Sequence, residues 1–265
     1  MFFIVYSIII FSYIFFIEKE VDKTSTIPML MLIFMNFLIS FNLMRNCLAI
    51  AVSLWAIYYL RKKKRIRFWI FSICAFLIHY TASIIFILYL YEIFFKDRLF
   101  NDKKIIFLIT ISLAIISIII YPSVLNLFYN SGYTSYLEKE YSLIGHIPKI
   151  ILLILVYCTY NDIIENLKKS EKLIYLKSFM LFMAILPISI LIGGISRIQL
   201  FFEFPTIILW GEIIDISMKK VKYGEKQMDK CILAMAYVIL TLWILFRIYR
   251  IGFAYGIMPY YSDLF

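Results

Sequence analysis

The chain of 265 residues is 63% apolar, 19% aromatic and only 17% charged, with a mean hydropathy of +0.89. A soluble domain is nearer half apolar and a quarter charged, so this composition excludes a water-soluble enzyme, a disordered chain and a nucleic-acid-binding domain. The net charge of +10 has to be tested first against membrane topology, because membrane proteins concentrate Lys and Arg on one side. The composition predicts a polytopic membrane protein.

Nine long apolar runs, bounded by charged residues, follow one another along the chain. They comprise residues 2–17, 27–44, 46–60, 67–95, 105–122, 147–160, 173–193, 201–217 and 231–255. Backbone polar groups in lipid must be paired internally, and continuous rather than alternating runs favour helices over a closed barrel. We therefore predict an all-α polytopic integral membrane protein of about nine or ten transmembrane or re-entrant helices. They form a single transmembrane domain over residues 1–265.

The basic residues predict the orientation. Most of the 27 lysines and arginines lie in the loops at 18–26, 61–67, 96–104, 161–177 and 218–230. The positive-inside rule places these loops in the cytoplasm and explains the net charge without a nucleic-acid partner. Arg45 and Arg197 are among the exceptions, and they then lie at the outer side or within the membrane.

The run at 67–95 is too long for one simple crossing. As a helix it measures about 42 Å at 1.5 Å per residue, against a hydrocarbon core of about 30 Å. Both flanks are basic, which favours a bent hairpin of two short helices that turns near residues 79–81. A single, steeply tilted helix is the alternative. Under the hairpin, Arg45, His79 and Arg197 all fall toward the same outer face.

The longest predicted outer segment, residues 123–146, is rich in tyrosine and phenylalanine and poor in basic residues. Aromatic rings offer flat apolar faces that suit sugars, so Tyr133 and Tyr136 are candidate substrate contacts. The alternative is an aromatic belt at the membrane interface. Following the loops back puts the N-terminus outside without a basic leader, so we expect that spans are missing upstream of Met1.

Arg45 is the one charged residue between Lys23 and Arg61. A charge at the bilayer centre costs about 2.5–3.5 kcal/mol on insertion scales, so such a residue is kept where it is paired, interfacial or used. An anion contact and an arginine that reaches the interface are the two interpretations. The same two apply to Arg247 and Arg250, one turn apart in the last run.

His79 is the only residue between Arg67 and Glu92 that titrates near neutral pH. An imidazole can take a proton from a hydroxyl, whereas the alternative is a buried histidine bonded to a neighbouring helix. The guanidinium of Arg197 suits phosphate oxygens, and an ion pair with Glu203 is its alternative.

Three carboxylates at membrane level are candidate bases, namely Glu203, Glu212 and Asp215. The four cysteines lie inside apolar runs without paired spacing, which is typical of small buried apolar residues. Two histidines are too few for a metal cluster, so we predict neither a metal site nor a cofactor.

Two motifs suggest a family. Residues 43–51 read LMRNCLAIA, and residues 75–83 read AFLIHYTAS. The chain resembles the EpsG-like branch of the Wzy-type polysaccharide polymerases, which show Arg-Gln-x-x-Ala and then Ala-x-x-x-His-x-[Ser/Thr]-Ala. The later stretches 197–202 and 258–262 resemble the family's arginine followed by aromatics and its Pro-Tyr ending. Asn46 stands where the family usually has glutamine, a change that keeps an amide.

The resemblance implies polymerisation of undecaprenyl-pyrophosphate-linked repeat units into O-antigen, capsular polysaccharide or exopolysaccharide at the outer face of the bacterial inner membrane. One lipid-linked glycan would be the donor and another the acceptor. The resemblance implies that Arg45 and Arg197 hold the pyrophosphate, and that His79 is the general base or orients the acceptor hydroxyl. Asn46 and Tyr80 are implied substrate contacts. Membrane lipids and other polysaccharide-assembly proteins are the expected partners.

Two other functions stay open. A transporter or flippase for lipid-linked glycans would have the same topology, with intramembrane charges along its pathway. Members of the family normally carry further spans before the matched region, so the third hypothesis is an inactive fragment that packs with partners.

Overall fold

The computed structural model describes residues 2–20, 40, 43–95, 97–130, 147–191, 195–222 and 227–254. Within them, it does not describe the side chains at 2, 98, 127–130, 196, 204, 222, 227–229 and 247–254. Nearly all of the predicted run 27–44, and the predicted outer segment from residue 131 onward, lie outside the described residues.

The described residues form ten α-helices and two short 3-10 turns, which confirms the all-α class. In chain order these are α1 (Phe2–Glu20), α2 (Met44–Arg61), α3 (Arg65–Ile78), the 3-10 turn Tyr80–Ser83, α4 (Ile84–Phe94), the 3-10 turn Asp97–Asn101, α5 (Lys103–Asn130), α6 (Ile147–Cys158), α7 (Tyr160–Lys169), α8 (Leu173–Leu191), α9 (Ser196–Lys222) and α10 (Gln227–Ala254).

Within the described part of the chain, two helices are long and apolar enough to cross a membrane by length and composition. They are Lys103–Asn126 of α5 and Leu173–Leu191, which is α8. The α6–α7 pair is bent by 83° and is a third candidate if it counts as one broken span. The chain is thus a helical membrane protein, and the count of nine or ten membrane helices stays a prediction.

α8 is central and α5 is peripheral. Of the apolar window of α8, 83% is buried, against 11% for α5. α8 packs against α4, α5 and α9. α5 instead exposes large side chains such as Leu108, Ile111 and Ile119. A continuous apolar surface of this kind is what a lipid-facing helix requires.

The run at 67–95 is folded back on itself, which confirms the predicted hairpin. The ring of Phe68 in α3 stacks on that of Tyr89 in α4 with centroids 5.0 Å apart. One continuous helix would separate these residues by about 32 Å along its axis. The backbone changes direction at His79, which is extended at φ −152° and ψ 123°.

Several boundaries differ from the prediction, and α9, for example, extends over Ser196–Lys222 instead of 201–217. α5 continues through Pro122 to Asn130, beyond the predicted end at residue 122. Its last turns are held by contacts of Val124 and Leu125 with the buried Ile188 and Ile195. The segment after residue 160, predicted as part of a basic loop, forms the short helix α7.

Ion pairs of two buried cations, Arg61 and Lys177, hold the end of the bundle that carries the basic turn between α2 and α3. Arg61 Nη2 donates to Glu20 Oε1 at 2.6 Å, with both side chains almost completely buried. Lys177 Nζ, on the central helix α8, donates to Glu92 at 2.7 Å and to Asp97 at 2.8 Å. These contacts tie α1 to α2, and the hairpin to α8.

Candidate functional site

Arg45 lies in the first turn of α2, where the helix dipole is positive. The residue before the helix, Leu43, makes no side-chain cap, and the Arg45 side chain is exposed. In the described ranges, no carboxylate forms an ion pair with Arg45. A cation at the positive end of a helix is electrostatically unfavourable, so the arrangement favours an anion between the guanidinium and the helix end.

His79 lies between α3 and the 3-10 turn, outside the candidate spans. Its side chain caps the turn by accepting a hydrogen bond from the backbone N–H of Thr81, with 3.3 Å between N and Nδ1. The ring of Tyr80 stacks on the imidazole, with centroids 5.0 Å apart and planes at 20°. Tyr80 itself is 62% exposed. One face of the imidazole is therefore covered by the ring of Tyr80, and that ring is itself exposed at the surface of the protein.

Thr81 links the hairpin to α2. Its Oγ1 lies 2.7 Å from His79 Nδ1 and 3.1 Å from Asn46 Oδ1. Asn46 and Thr81 are both buried, at 2% and 7% exposure. Asn46, which the resemblance implies as a substrate contact, thus has its side chain engaged with the hairpin.

Arg197 lies in the first turn of α9, half-buried, and α9 packs against both α2 and the 3-10 turn. Burial lowers the pKa of His79, and the positive charges of Arg45 and then Arg197 lower it further. Both guanidinium groups are therefore close enough to act on the imidazole. Arg45 and Arg197 begin α2 and α9, and α9 packs against both α2 and the 3-10 turn that follows His79, so the three residues lie at the same end of the bundle.

This lowered pKa has a measurable consequence for stability. Below about pH 6.5, the ordinary pKa of histidine, the unfolded chain binds a proton that the folded chain resists. We therefore expect the free energy of unfolding to fall as the pH drops from 7 through 6 and toward the lower folded pKa. Thermal unfolding of the protein and of His79→Gln across this range measures the effect, and the variant should lose less stability. A variant that loses equal stability would contradict the expectation.

The comparison with protein families extends the sequence resemblance. The model of the EpsG family matches residues 1–262, almost the whole chain. The chain belongs to the EpsG family. No curated protein and no solved structure matches it. Membership of the EpsG family implies a part in exopolysaccharide biosynthesis.

Four other predicted contacts of this EpsG-family protein are not part of the described site. Tyr133 and Tyr136 lie outside the described residues. Arg247 and Arg250 lie in α10, whose backbone is described at these positions while their side chains are not. Their roles stay predictions.

The candidate bases of the EpsG-family chain differ in their distance from Arg197. Glu212 is 15 residues further along α9, about 22 Å at 1.5 Å per residue, and Asp215 is further still. Glu212 accepts a hydrogen bond from Lys172 Nζ at 2.9 Å and another from the Asn166 amide. Glu203, 2% exposed, is the carboxylate of the three that lies nearest to Arg197 along the helix.

Gln199 was not singled out by the sequence. It lies two residues after Arg197, is 2% exposed, and neither atom of its amide has a hydrogen-bond partner within the described part of the chain. The stretch 197–202 contributed to the family resemblance through its arginine and aromatics, and the glutamine between them carried no separate signal. Among the described residues, no group of His, Cys, Asp and Glu side chains is placed to hold a metal ion.

Proposed function

We propose that this protein polymerises lipid-linked oligosaccharide repeat units, joining the glycan of one undecaprenyl-pyrophosphate carrier to a hydroxyl of another. The observation that carries the proposal is the placement of Arg45 and Arg197 in the first turns of two packed helices, at the end of the bundle where His79 lies, in a chain whose family implies exopolysaccharide biosynthesis. Two guanidinium groups supply planar, forked donors that match phosphate oxygens, and they bring two positive charges to a pyrophosphate.

In this reaction, the acceptor oxygen forms a bond to the anomeric carbon of the donor glycan. The bond from that carbon to the pyrophosphate oxygen breaks, and its electron pair leaves with the pyrophosphate. Arg45 and Arg197 stabilise the negative charge that grows there. The first N–H groups of α2, which have no acceptor within the helix, add further donors. His79 either takes the hydroxyl proton or orients the acceptor.

The position of the site along α2 supports polymerisation at the outer face of the membrane. Arg45 and Arg61 stand at opposite ends of this helix, about 24 Å apart at 1.5 Å per residue. The turn that begins at Arg61 is the most basic in the chain, so the positive-inside rule places it in the cytoplasm. Arg45 then faces the opposite compartment.

The exposed apolar surface of the helices can bind the polyprenyl tail of the lipid carrier. A polyprenyl tail needs a continuous hydrocarbon environment, and the exposed isoleucines and leucines of α3, α4 and α5 supply one. The pyrophosphate then reaches the positive end of the bundle while the tail stays between the helices and the bilayer. That the protein binds other polysaccharide-assembly proteins remains a prediction from the sequence.

Deletion of the gene in its own host tests the proposal. We expect the deleted strain to carry single repeat units on the outer surface and to lose long glycan chains, and the gene expressed from a plasmid to restore them. Accumulation of the repeat units on the cytoplasmic side would support a flippase or transporter instead. Normal chain length in the deleted strain would contradict both functions.

A further inference from the structure

The hydrogen bonds around His79 indicate which of its ring nitrogens carries the proton. In a neutral imidazole, one nitrogen is a donor and the other an acceptor, and the partners of each decide the tautomer. All the described contacts of the ring nitrogens are made by Nδ1, with Thr81. Nε2 is therefore the nitrogen that is left to meet a ligand.

The backbone N–H of Thr81 is the decisive partner. Its hydrogen is fixed by the peptide plane and points at His79 Nδ1, 3.3 Å from the nitrogen. A hydroxyl can rotate and an amide can turn over, but a backbone N–H in a 3-10 turn cannot be redirected. This contact favours a lone pair on Nδ1, since two N–H groups facing each other would repel. This is the geometry of a helix cap, in which the capping side chain is the acceptor.

The side chain of Thr81 completes the same pattern. Because Nδ1 is an acceptor, the short 2.7 Å contact with Thr81 Oγ1 requires the hydroxyl to donate to it. The Thr81 oxygen then has only lone pairs for its other neighbour, the Asn46 amide at 3.1 Å. That neighbour has to be a donor, so the amide nitrogen of Asn46 faces Thr81.

The burial of Asn46 supports this orientation independently. With Oδ1 toward Thr81, Nδ2 is a buried donor that has no acceptor among the described residues, on a side chain only 2% exposed. Buried N–H groups without a partner are rare because they lose their hydration and gain nothing. Turning the amide by 180° exchanges the two atoms and gives Nδ2 the Thr81 oxygen as its acceptor. Oδ1 then takes the unpartnered position, and a buried oxygen without a donor is less rare than a buried N–H without an acceptor.

We propose that Asn46 and Thr81 are positioning residues that hold His79 as the Nε2–H tautomer, so that it acts as a hydrogen-bond donor toward the pyrophosphate. The tautomer follows from the contacts of His79 and Thr81, and only the identity of the ligand rests on the proposed function. The chain of donors runs from Asn46 Nδ2 to Thr81 Oγ1 and from Thr81 to His79 Nδ1. The field of Arg45 and Arg197 favours the neutral ring, and a neutral ring in this tautomer presents N–H.

This assignment removes the general-base role from His79 and keeps its place beside the leaving group. The Nε2–H donates to a pyrophosphate oxygen and adds to the two guanidinium groups in stabilising the departing charge. The acceptor hydroxyl proton then goes to an oxygen of the departing pyrophosphate itself. One C–O bond forms and one breaks, and the proton and the electron pair both end on the leaving group.

Nitrogen NMR of isotopically labelled histidine tests the tautomer directly. The chain has only two histidines, so the His146→Asn variant leaves His79 as the one labelled imidazole. In protein reconstituted into bilayers at neutral pH, we expect the protonated ring nitrogen to correlate with Cδ2, to which Nε2 is bonded. A protonated nitrogen that correlates with Cγ is Nδ1, and it would overturn the proposal, as would a doubly protonated ring.

Two matched variants test the positioning role. In Asn46→Asp, of nearly the same shape, the carboxylate can only accept, so Thr81 Oγ1 donates to it and offers a lone pair to an Nδ1–H. This competes with the backbone N–H of Thr81, which still favours a lone pair on Nδ1, and we expect part of the proton population to move to Nδ1. In Asn46→Gln, the amide is kept and the proton should stay on Nε2. If the proton stays entirely on Nε2 in Asn46→Asp, the positioning role of Asn46 is overturned.

Glycan length in the complemented deletion strain tests whether the Nε2–H donor of His79 matters for polymerisation. We expect Asn46→Asp to give short glycans and Asn46→Gln to give long ones, with equal amounts of both proteins in the membrane. Long glycans from Asn46→Asp, together with a proton on Nδ1, would overturn the donor role. The spectra need no substrate, so an Nε2–H result supports the tautomer even where the polymerase function fails.

Discussion

Replacing Arg45 or Arg197 with glutamine is expected to lower the polymerisation rate by about 10²–10³-fold, the usual loss when one preorganised donor to a developing negative charge is removed. Each guanidinium lies in the first turn of a helix, where the positive end of the helix dipole repels it. The negative charge of a bound pyrophosphate therefore stabilises both guanidinium groups. The pyrophosphate carries more negative charge as it leaves than in the bound donor, so the loss falls on the reaction rate. Glycan length in the complemented deletion strain is the measurement.

Two controls separate charge from geometry. Arg45→Lys and Arg197→Lys keep the positive charge and lose the forked donor, so we expect intermediate glycan lengths from both. Arg67→Gln removes an exposed arginine that lies over the ring of Tyr59, 5.4 Å from its centroid, in the basic turn. That variant should give glycans of normal length. Long glycans from all three of Arg45→Ala, His79→Ala and Arg197→Ala would mean that the site lies elsewhere.

The helical class and the hairpin were predictable because they depend on local properties. A continuous apolar run cannot leave its backbone unpaired in lipid, whatever it packs against. The break near His79 follows from the length of the 67–95 run and from the basic residues at both of its ends. Neither inference needs to know which helix lies next to which.

The α7 helix was missed because its signal is different from that of a lipid-facing run. Tyr160, Ile163 and Leu167 are the buried side chains of α7, at a spacing that repeats on one face of a helix. The lysines and acids between them look like a cytoplasmic loop when hydropathy is averaged. A search for helical periodicity within the basic loops would have found this element.

The hydrogen bonds within the candidate site could not be predicted from the sequence, for a different reason. Asn46 and Thr81 are 35 residues apart, and their bond depends on how the hairpin packs against α2. The predicted convergence of Arg45, His79 and Arg197 relied on topology alone, which gives the side of the membrane and not a distance. Hydrogen-bond partners such as Thr81 for His79 are set by tertiary packing, which one sequence does not encode in its spacing.

The second large effect is expected at the opposite end of the bundle, where Arg61 and Glu20 pair. Their side chains are 7% and 0% exposed, and Arg61 also donates to the Ser170 carbonyl at 3.4 Å. Arg61→Met leaves the Glu20 carboxylate buried without its cation, and removing one partner of a buried pair costs about 3–5 kcal/mol. We expect a loss of this size in the free energy of unfolding, measured by thermal or denaturant unfolding in one detergent.

The same chain offers two controls for this loss. Lys169 and Glu165 form a pair on α7 in which both side chains are mostly exposed, so Lys169→Met should cost at most about 0.5 kcal/mol. The double variant Glu20→Leu with Arg61→Met removes both buried charges, and it should recover most of the stability that Arg61→Met loses. If Arg61→Met and Lys169→Met cost the same, burial does not decide the effect. If the double variant recovers nothing, the loss comes from the contact of the Arg61 guanidinium with the ring of Tyr58 rather than from the stranded carboxylate.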